Sequence, residues 1–254
     1  MDVKTENRSM QDDNGLGWGK SLPVPSVQEM VKNESDTVPE RYIRESKDRP
    51  VLDRQCQITS EIPAIDFSLL VNRDENEQKK LDFACQKWGF FQLVNHGVAE
   101  ELLHKMEEVT RTFLELPLVE KNKYAMAEND IQGYRQAYVV SQDQKLDWND
   151  LIFLLTYPPE CRNLNYWPLT PPGFKKTVED YSTEIYRVTG EIYANLSLIE
   201  ENDTLGRHSD GCAITLLLRD DDITGLQVKH EESWIPVKPL PGVLVFNVGD
   251  IVEM

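Results

Sequence analysis

The sequence predicts a mixed α and β fold, with helices dominating up to residue 200 and β-strands after residue 208. Apolar residues recur at three- and four-residue intervals over residues 102–113 and 174–199, which is the period of an amphipathic helix. After residue 208 the pattern changes to short apolar runs separated by turn residues, which is typical of strands. A chain of 254 residues can bury a sizeable core, as one large domain or as a core with an appended one.

Three parts follow one another along the chain. Residues 1–60 are rich in charge, glycine, proline and serine, and we interpret them as an extended arm that packs against the main body. A short helix is predicted within the arm, because Ser26 is a plausible N-cap and Glu29 follows it by three residues. Residues 61–200 form the mainly helical region, and residues 201–254 form the strand-rich region.

Strands and helices alternate in the second part. Asp66 or Ser68 is expected to cap the first helix, Gly89 to end the next one and Pro117 the third. In chain order the predicted elements are a strand at 62–67, a helix that ends at residue 89, a strand at 90–94, a helix over 99–116, extended segments at 133–140 and 148–157, and a long helix from 171–173 to 199.

The third part is predicted to be almost entirely β. Residues 213–218 form one strand, and residues 225–229 and 233–237 flank a short polar segment as the two strands of a hairpin would. Residues 243–248 form the last predicted strand, which follows a turn containing Pro241 and Gly242.

Charge and composition restrict the class of partner. The chain has 27 Lys and Arg against 44 Asp and Glu, a net charge of −17, which argues against nucleic acid as a partner. The first ten residues have no apolar core of a signal peptide, and no run of eighteen apolar residues predicts a membrane span. The four cysteines are far apart and form no CxxC pair, which fits a reducing compartment. We therefore expect a cytoplasmic protein that does not associate with membranes.

A histidine and an aspartate two residues apart precede the strand at 213–218. In an extended chain the side chains of His208 and Asp210 point to the same side, so both could bind one metal ion. A neutral imidazole and a carboxylate are ligand types of non-haem Fe(II) sites, which use two histidines and one carboxylate. The same His-Ser-Asp-Gly run is also typical of an ordinary polar turn. The pattern alone leaves both interpretations open.

Other polar residues are assigned structural roles. We expect His96, in the Asn-His-Gly run after a strand, to bond the backbone where the strand turns. His230 is placed at the surface of a hairpin tip. Asp143, Lys145, Asp147 and Asp150 are interpreted as a solvated connection rather than as a carboxylate pair for acid-base catalysis. Without a GxSxG elbow, a Cys-His signature or a glycine-rich phosphate loop, nucleophilic catalysis and nucleotide binding have no support.

Nine segments occur in an order that is specific to one family. The segments are Ile62-Pro-Ala-Ile-Asp66, Trp88-Gly-Phe-Phe-Gln-Leu-Val-Asn-His-Gly97, Phe113-Leu-Glu-Leu-Pro117, Glu120-Lys121, Asp143-Gln-Lys-Leu-Asp-Trp148, His208-Ser-Asp-Gly211, Gly225-Leu-Gln227, Trp234-Ile-Pro-Val-Lys-Pro239 and Asn247-Val-Gly-Asp250. Together they resemble plant 2-oxoglutarate- and Fe(II)-dependent dioxygenases, in the branch with codeine O-demethylase-like and senescence-related enzymes.

The resemblance implies a helical N-terminal region packed on an incomplete double-stranded β-helix, or jelly roll. It also implies that His208 and Asp210 are two of three iron ligands, with Fe(II) as the metal, 2-oxoglutarate as cosubstrate and ascorbate as supporting reductant. It assigns no further catalytic or cosubstrate-binding residue in this sequence. The implied partner is a small-molecule substrate, and no oligomeric state is indicated.

The sequence departs from the family at two places. Between Leu198 and Gly206 the family has several tens of residues more, and the distal histidine and Arg-x-Ser pair of the family do not follow within the residues up to Met254. We therefore interpret the chain as internally deleted and C-terminally truncated.

Two functions are predicted as alternatives. One is oxidation of a small hydrophobic plant secondary metabolite by hydroxylation, O-demethylation or desaturation. The other is that of a catalytically incompetent isoform or fragment that acts as a binding protein.

Overall fold

The structure is a computed structural model, and it describes residues 21–33, 37–45, 62–128, 130–135, 139–200, 214–219, 225–230 and 233–249. The chain forms two compact units. The first unit takes Met1–Arg44 and Leu116–Trp167, and the second takes Glu45–Glu115 and Pro168–Met254. The division into residues 1–60, 61–200 and 201–254 follows the order of the chain and stays a prediction.

The described residues contain helices and strands in both units. In chain order these are α1 (Val27–Lys32), β1 (Ala64–Asp66), α2 (Phe67–Val71), α3 (Glu75–Lys87), β2 (Phe90–Val94), α4 (Glu100–Glu115), α5 (Leu118–Lys121), β3 (Gly133–Arg135), β4 (Leu151–Phe153), α6 (Phe174–Glu200), β5 (Ile214–Leu217), β6 (Gln227–His230), β7 (Ser233–Pro236) and β8 (Leu244–Val248). Short 3₁₀ turns lie at Glu40–Tyr42, Asn122–Tyr124, Pro159–Cys161 and Leu164–Tyr166. None of the described helices is long and apolar enough to cross a membrane.

A four-stranded sheet is the centre of the second unit. Its strand order is β1-β2-β8-β5, with β1 parallel to β2 and the other two pairs antiparallel. Phe91 lies opposite Phe246 in the β2–β8 pair, and their rings stack with centroids 4.8 Å apart. Strands β6 and β7 pair separately, as the predicted hairpin. The mixed α and β fold, with its helical N-terminal region, is confirmed.

Both faces of this sheet are covered by apolar side chains. On one face, Phe91 and Phe246 belong to a buried cluster that takes Val188, Ile192 and Leu196 from α6. This confirms that the long apolar stripe of α6 is core. On the other face, Phe90 and Val245 pack with Val237, which directly follows β7. Neighbouring residues of β2 and β8 thus face opposite sides, as the period of two along a strand requires.

Polar caps fix where the helices of the second unit begin. The Asp66 carboxylate accepts hydrogen bonds from the amides of Ser68 (2.9 Å) and Leu69 (3.4 Å), which confirms the predicted cap of α2. The hydrogen bond from the Ser68 hydroxyl is the main cause that lowers the pKa of Asp66. Helix α3 ends before Gly89, which has φ +59° and whose amide bonds the Ala84 carbonyl at 2.9 Å.

The first unit holds the described part of the N-terminal arm. Val27 and Tyr42 from the arm form a buried apolar cluster with Val139 and Leu146. The predicted packing role of the arm is therefore confirmed for these residues. Strands β3 and β4 pair antiparallel and are shorter than the predicted segments at 133–140 and 148–157.

Asp150, directly before β4, caps helix α1 across 123 residues of sequence. Its carboxylate accepts hydrogen bonds from the amides of Val27 (2.9 Å) and Gln28 (3.3 Å) and from the Ser26 hydroxyl (2.5 Å). The Tyr134 hydroxyl donates a fourth bond to it at 3.2 Å. Ser26 itself accepts from the amide three residues later at 3.3 Å, as predicted. Asp150 is thus half-buried, and its carboxylate accepts four hydrogen bonds. The prediction that it lies in a solvated connection is therefore wrong for this residue.

Lys121 lies fully buried beside this cap. Its ammonium donates to the side-chain oxygen of Gln28 and lies 5.2 Å from the centre of the Tyr134 ring. Burial lowers the pKa of Lys121, and the nearby Asp150 carboxylate opposes that shift. The positive charge of the buried Lys121 is therefore partly offset by a carboxylate of the same unit.

Two glycines give opposite predictions for substitution by alanine. Gly190 lies in helix α6, and an added methyl group would meet no atom within 4 Å, so Gly190→Ala should stabilise the protein by about 0.4–1 kcal/mol through lower entropy of the unfolded chain. Gly133 has φ +121°, and a methyl group there would lie 2.7 Å from the Met126 nitrogen, so Gly133→Ala should destabilise it. Thermal unfolding of both variants checks this. Equal shifts of Tm in the same direction would contradict it.

The cap at Asp150 predicts a loss of stability on its removal. Asp150→Ala leaves two amides and two hydroxyls without their acceptor, so the free energy of unfolding should fall by about 1–3 kcal/mol. Urea unfolding measures the change. The exposed Asp143 provides the matched control, since Asp143→Ala should leave the midpoint almost unchanged. Identical midpoints for both variants would show that the cap contributes nothing.

Candidate functional site

The predicted metal ligands His208 and Asp210 lie outside the described residues. The strand predicted after them is present as β5. It pairs with β8 in the register Ile214 with Val248 and Leu217 with Val245, at one end of the described four-stranded sheet. The assignment of His208 and Asp210 as iron ligands stays a prediction.

No alternative metal site occurs in the part of the chain that the structure describes. There, no three His, Cys, Asp or Glu side chains come close enough to hold a metal ion. His104 is exposed on α4, with Glu100 at 3.5 Å and Glu107 at 3.8 Å. His230 stacks on Trp88 with ring centroids 3.9 Å apart and is half-buried, so it is less exposed than the predicted surface position.

His96 has the structural role that the sequence predicts for it. The residue is 4% exposed, and its Nε2 lies 2.8 Å from the Gly242 carbonyl oxygen. Nδ1 accepts a hydrogen bond from the Val98 amide at 3.2 Å. Because a carbonyl oxygen can only accept, the ring proton sits on Nε2. Burial is the main cause that lowers the pKa of His96. The hydrogen bond to the Gly242 carbonyl opposes this shift, and the positive charge of Arg187 adds to it.

The first unit contains a cleft of about 370 Å³ that the sequence did not predict. Apolar side chains such as Val24, Leu118 and Met126 share its wall with the polar residues Tyr134 and Asp150. Burial raises the pKa of Tyr134 to about 12, so its hydroxyl keeps its proton at neutral pH. The one local signal in the sequence is the capping pattern that precedes α1. It marks the helix start but gives no indication that Asp150 and Tyr134 lie beside it.

Two family models match consecutive parts of the chain. The N-terminal region of non-haem dioxygenases in morphine synthesis matches residues 62–170, and the 2OG-Fe(II) oxygenase superfamily matches residues 160–254. The first match covers β1 to β4, and the second covers α6 and strands β5 to β8. Together they include every described helix and strand except α1.

Curated relatives are similar over almost the whole chain. S-norcoclaurine synthase 1 from Coptis japonica is 39% identical, covering 95% of this chain and 77% of the relative. Protein SRG1 from Arabidopsis thaliana is 38% identical over 94% of this chain and 77% of its own length. Codeine O-demethylase from Papaver somniferum is 32% identical, covering 93% of this chain and 76% of the relative.

A solved structure shares the fold over most of the chain. The crystal structure of JOX2 in complex with 2OG, Fe and JA matches with a TM-score of 0.77 and 29% identity, covering 92% of this chain and 76% of that one. It confirms the jelly-roll fold class, and it contains the metal and cosubstrate that the resemblance implied. The chain therefore belongs to the plant 2-oxoglutarate- and Fe(II)-dependent dioxygenases of the 2OG-Fe(II) oxygenase superfamily.

Proposed function

We propose that this chain oxidises a small hydrophobic plant secondary metabolite by hydroxylation, O-demethylation or desaturation, with Fe(II) and 2-oxoglutarate. The observation that carries the proposal is the match over 92% of the chain to JOX2, which was crystallised with 2OG, Fe and JA. Ascorbate is the supporting reductant that is typical of the family. The relatives support an oxidative reaction on a small molecule, and they do not share one substrate.

His208 and Asp210 are the residues we assign to the iron. A neutral imidazole and an ionised carboxylate are the donor types that suit non-haem Fe(II), and both residues closely precede the strand β5. When bound, Fe(II) and 2-oxoglutarate supply the oxidation of the substrate together with O₂. The chain's own part is to present the ligands, position the substrate and exclude water.

The proposed substrate class rests on what the relatives are named for. Codeine O-demethylase and a flavonoid 7-O-demethylase from Ocimum basilicum, the latter 33% identical over 98% of this chain, carry names of plant secondary metabolites. Both names specify removal of a methyl group from oxygen. O-demethylation is therefore one of the three outcomes we propose, beside hydroxylation and desaturation.

The second candidate is a binding protein without turnover. It is favoured by one feature of the sequence: between Asp210 and Met254 the only histidine is His230, whose ring stacks on Trp88 in the described structure. If His208 and Asp210 were the only protein ligands, Fe(II) would be held by two of the three donors of such a site and would bind weakly.

One experiment separates the two candidates. The purified chain is incubated with Fe(II), ascorbate and 2-oxoglutarate, and succinate is measured together with anaerobic Fe(II) binding. For an oxygenase we expect succinate above the protein-free background. His208→Ala and Asp210→Ala should each abolish that excess and weaken Fe(II) binding by at least about tenfold, since even changes outside the ligand shell cost that much.

The exposed His104 provides the control. His104→Ala removes a histidine from the surface of α4 and should change neither succinate formation nor Fe(II) binding. Succinate at the protein-free background would favour the binding protein, whose two ligands are expected to hold Fe(II) only weakly. If neither His208→Ala nor Asp210→Ala changed Fe(II) binding, the ligand assignment would be wrong.

A further inference from the structure

Arg41 lies in the first unit, on the 3₁₀ turn Glu40–Tyr42, and this turn is fastened to a later segment of the chain. The backbone carbonyl of Arg41 accepts a hydrogen bond from the Leu146 amide at 2.9 Å. The Lys145 ammonium donates to the neighbouring Glu40 carbonyl at 2.8 Å. The backbone at Arg41 is therefore held in place from residues 145 and 146.

The guanidinium of Arg41 has one edge without acceptors. Its Nε and Nη2 are both buried, although the residue as a whole is only half-buried. In the part of the chain that the structure describes, neither nitrogen has a hydrogen-bond partner. Nearly all buried polar groups in folded proteins are bonded, so two adjacent orphaned donors on one side chain require an explanation.

The position of the two donors indicates what they would bind. Nε and Nη2 share one edge of the planar guanidinium, and their N–H bonds on that edge run nearly parallel. This edge matches two oxygens of a carboxylate or of a phosphate, which it binds side-on. A backbone carbonyl or a water offers a single oxygen, which cannot meet both N–H bonds in straight geometry. The orphaned pair therefore fits an oxyanion.

The described acids around Arg41 leave its charge uncompensated. The Asp147 carboxylate accepts from the Arg44 guanidinium at 2.6 Å, in an exposed ion pair. Among the described contacts, Glu40 contributes its backbone carbonyl and not its carboxylate. Lys145 adds a further positive charge, since the carbonyl that it bonds is neutral. An anion at Arg41 would therefore meet net positive charge.

We propose that Arg41 is the anchor of a site for a small oxyanion, a carboxylate or phosphate group, which it binds through its Nε–Nη2 edge. The edge is covered in the structure, so a compact anion enters as the surrounding side chains move aside. Binding then replaces two unmet donors by two charge-assisted hydrogen bonds and stabilises the first unit. The site involves neither iron nor turnover, so it does not depend on the proposed function.

Anion titrations of the full chain test the anchor. Sodium formate, sodium acetate or inorganic phosphate is added at constant ionic strength, with sodium chloride as the balancing salt. In proton–nitrogen correlation NMR spectra the Arg41 Nε–H signal, assigned by its loss in Arg41→Lys, should move downfield and saturate, because a hydrogen bond to an anion deshields the proton. The Tm should rise over the same concentration range. The anions that act identify the site as one for carboxylates, for phosphate or for both.

Two variants separate a ligand site from a structural role. Arg41→Lys keeps the positive charge but loses the paired donors, so the anion concentration that gives half of the Tm rise should increase by at least about tenfold. Arg41→Met keeps a long side chain and removes the orphaned donors, so its Tm without added anion should equal or exceed that of the wild type. A guanidinium that was bonded within the chain would instead make Arg41→Met less stable.

Arg44 provides the matched control. It lies three residues away, is exposed and is paired with Asp147, so Arg44→Lys should keep the wild-type response to each anion. The proposal is overturned if no anion moves the Arg41 Nε–H signal, or if Arg41→Lys responds at the same concentrations as the wild type. A clear loss of Tm in Arg41→Met without added anion would overturn it too.

Discussion

The antiparallel pairing of β2 with β8 is the interaction on which the second unit depends. It joins residues 90–93 to partners about 150 residues later, and the stacked rings of Phe91 and Phe246 lie at its centre. Strand β1 is attached through β2 and strand β5 through β8. The stripe of α6 packs on one face of this pair, and the residues after the β6–β7 hairpin cover the other. Without the pair, neither apolar cluster would have a surface to pack on.

The sequence predicted the elements better than it predicted their partners. Period and caps are local properties, so residues such as Asp66 and Gly89 marked helix boundaries correctly. The stripe of α6 was identified as core because its period persists over many turns. Asp150 was misassigned since its partner Ser26 lies 124 residues away, and no local pattern connects them. Such a contact becomes visible only when the chain is folded.

For the functional site, too, a short local pattern was ambiguous and the wider sequence context was informative. The spacing of His208 and Asp210 could not distinguish a turn from a pair of metal ligands, whereas the order of many motifs along the chain identified the family. The two family models and JOX2 confirmed that identification. The assignment of His208 and Asp210 as iron ligands stays a prediction, which rests on their donor chemistry and on their position before β5. His96, by contrast, was assigned correctly from its Asn-His-Gly context, because strand-ending turns need a side chain that bonds the backbone.

The long separation between β2 and β8 also affects how the protein is made. A ribosome adds roughly 5–20 residues per second, so β2 is synthesised about 8–30 seconds before its partner β8 is complete. During that interval the apolar side chains of β2, which the finished fold buries on both faces, have only β1 as a neighbour among the described strands of their sheet. The nascent chain thus carries an aggregation-prone apolar strand for many seconds. Protection of β2 from intermolecular contacts during synthesis is therefore a requirement for producing the folded protein.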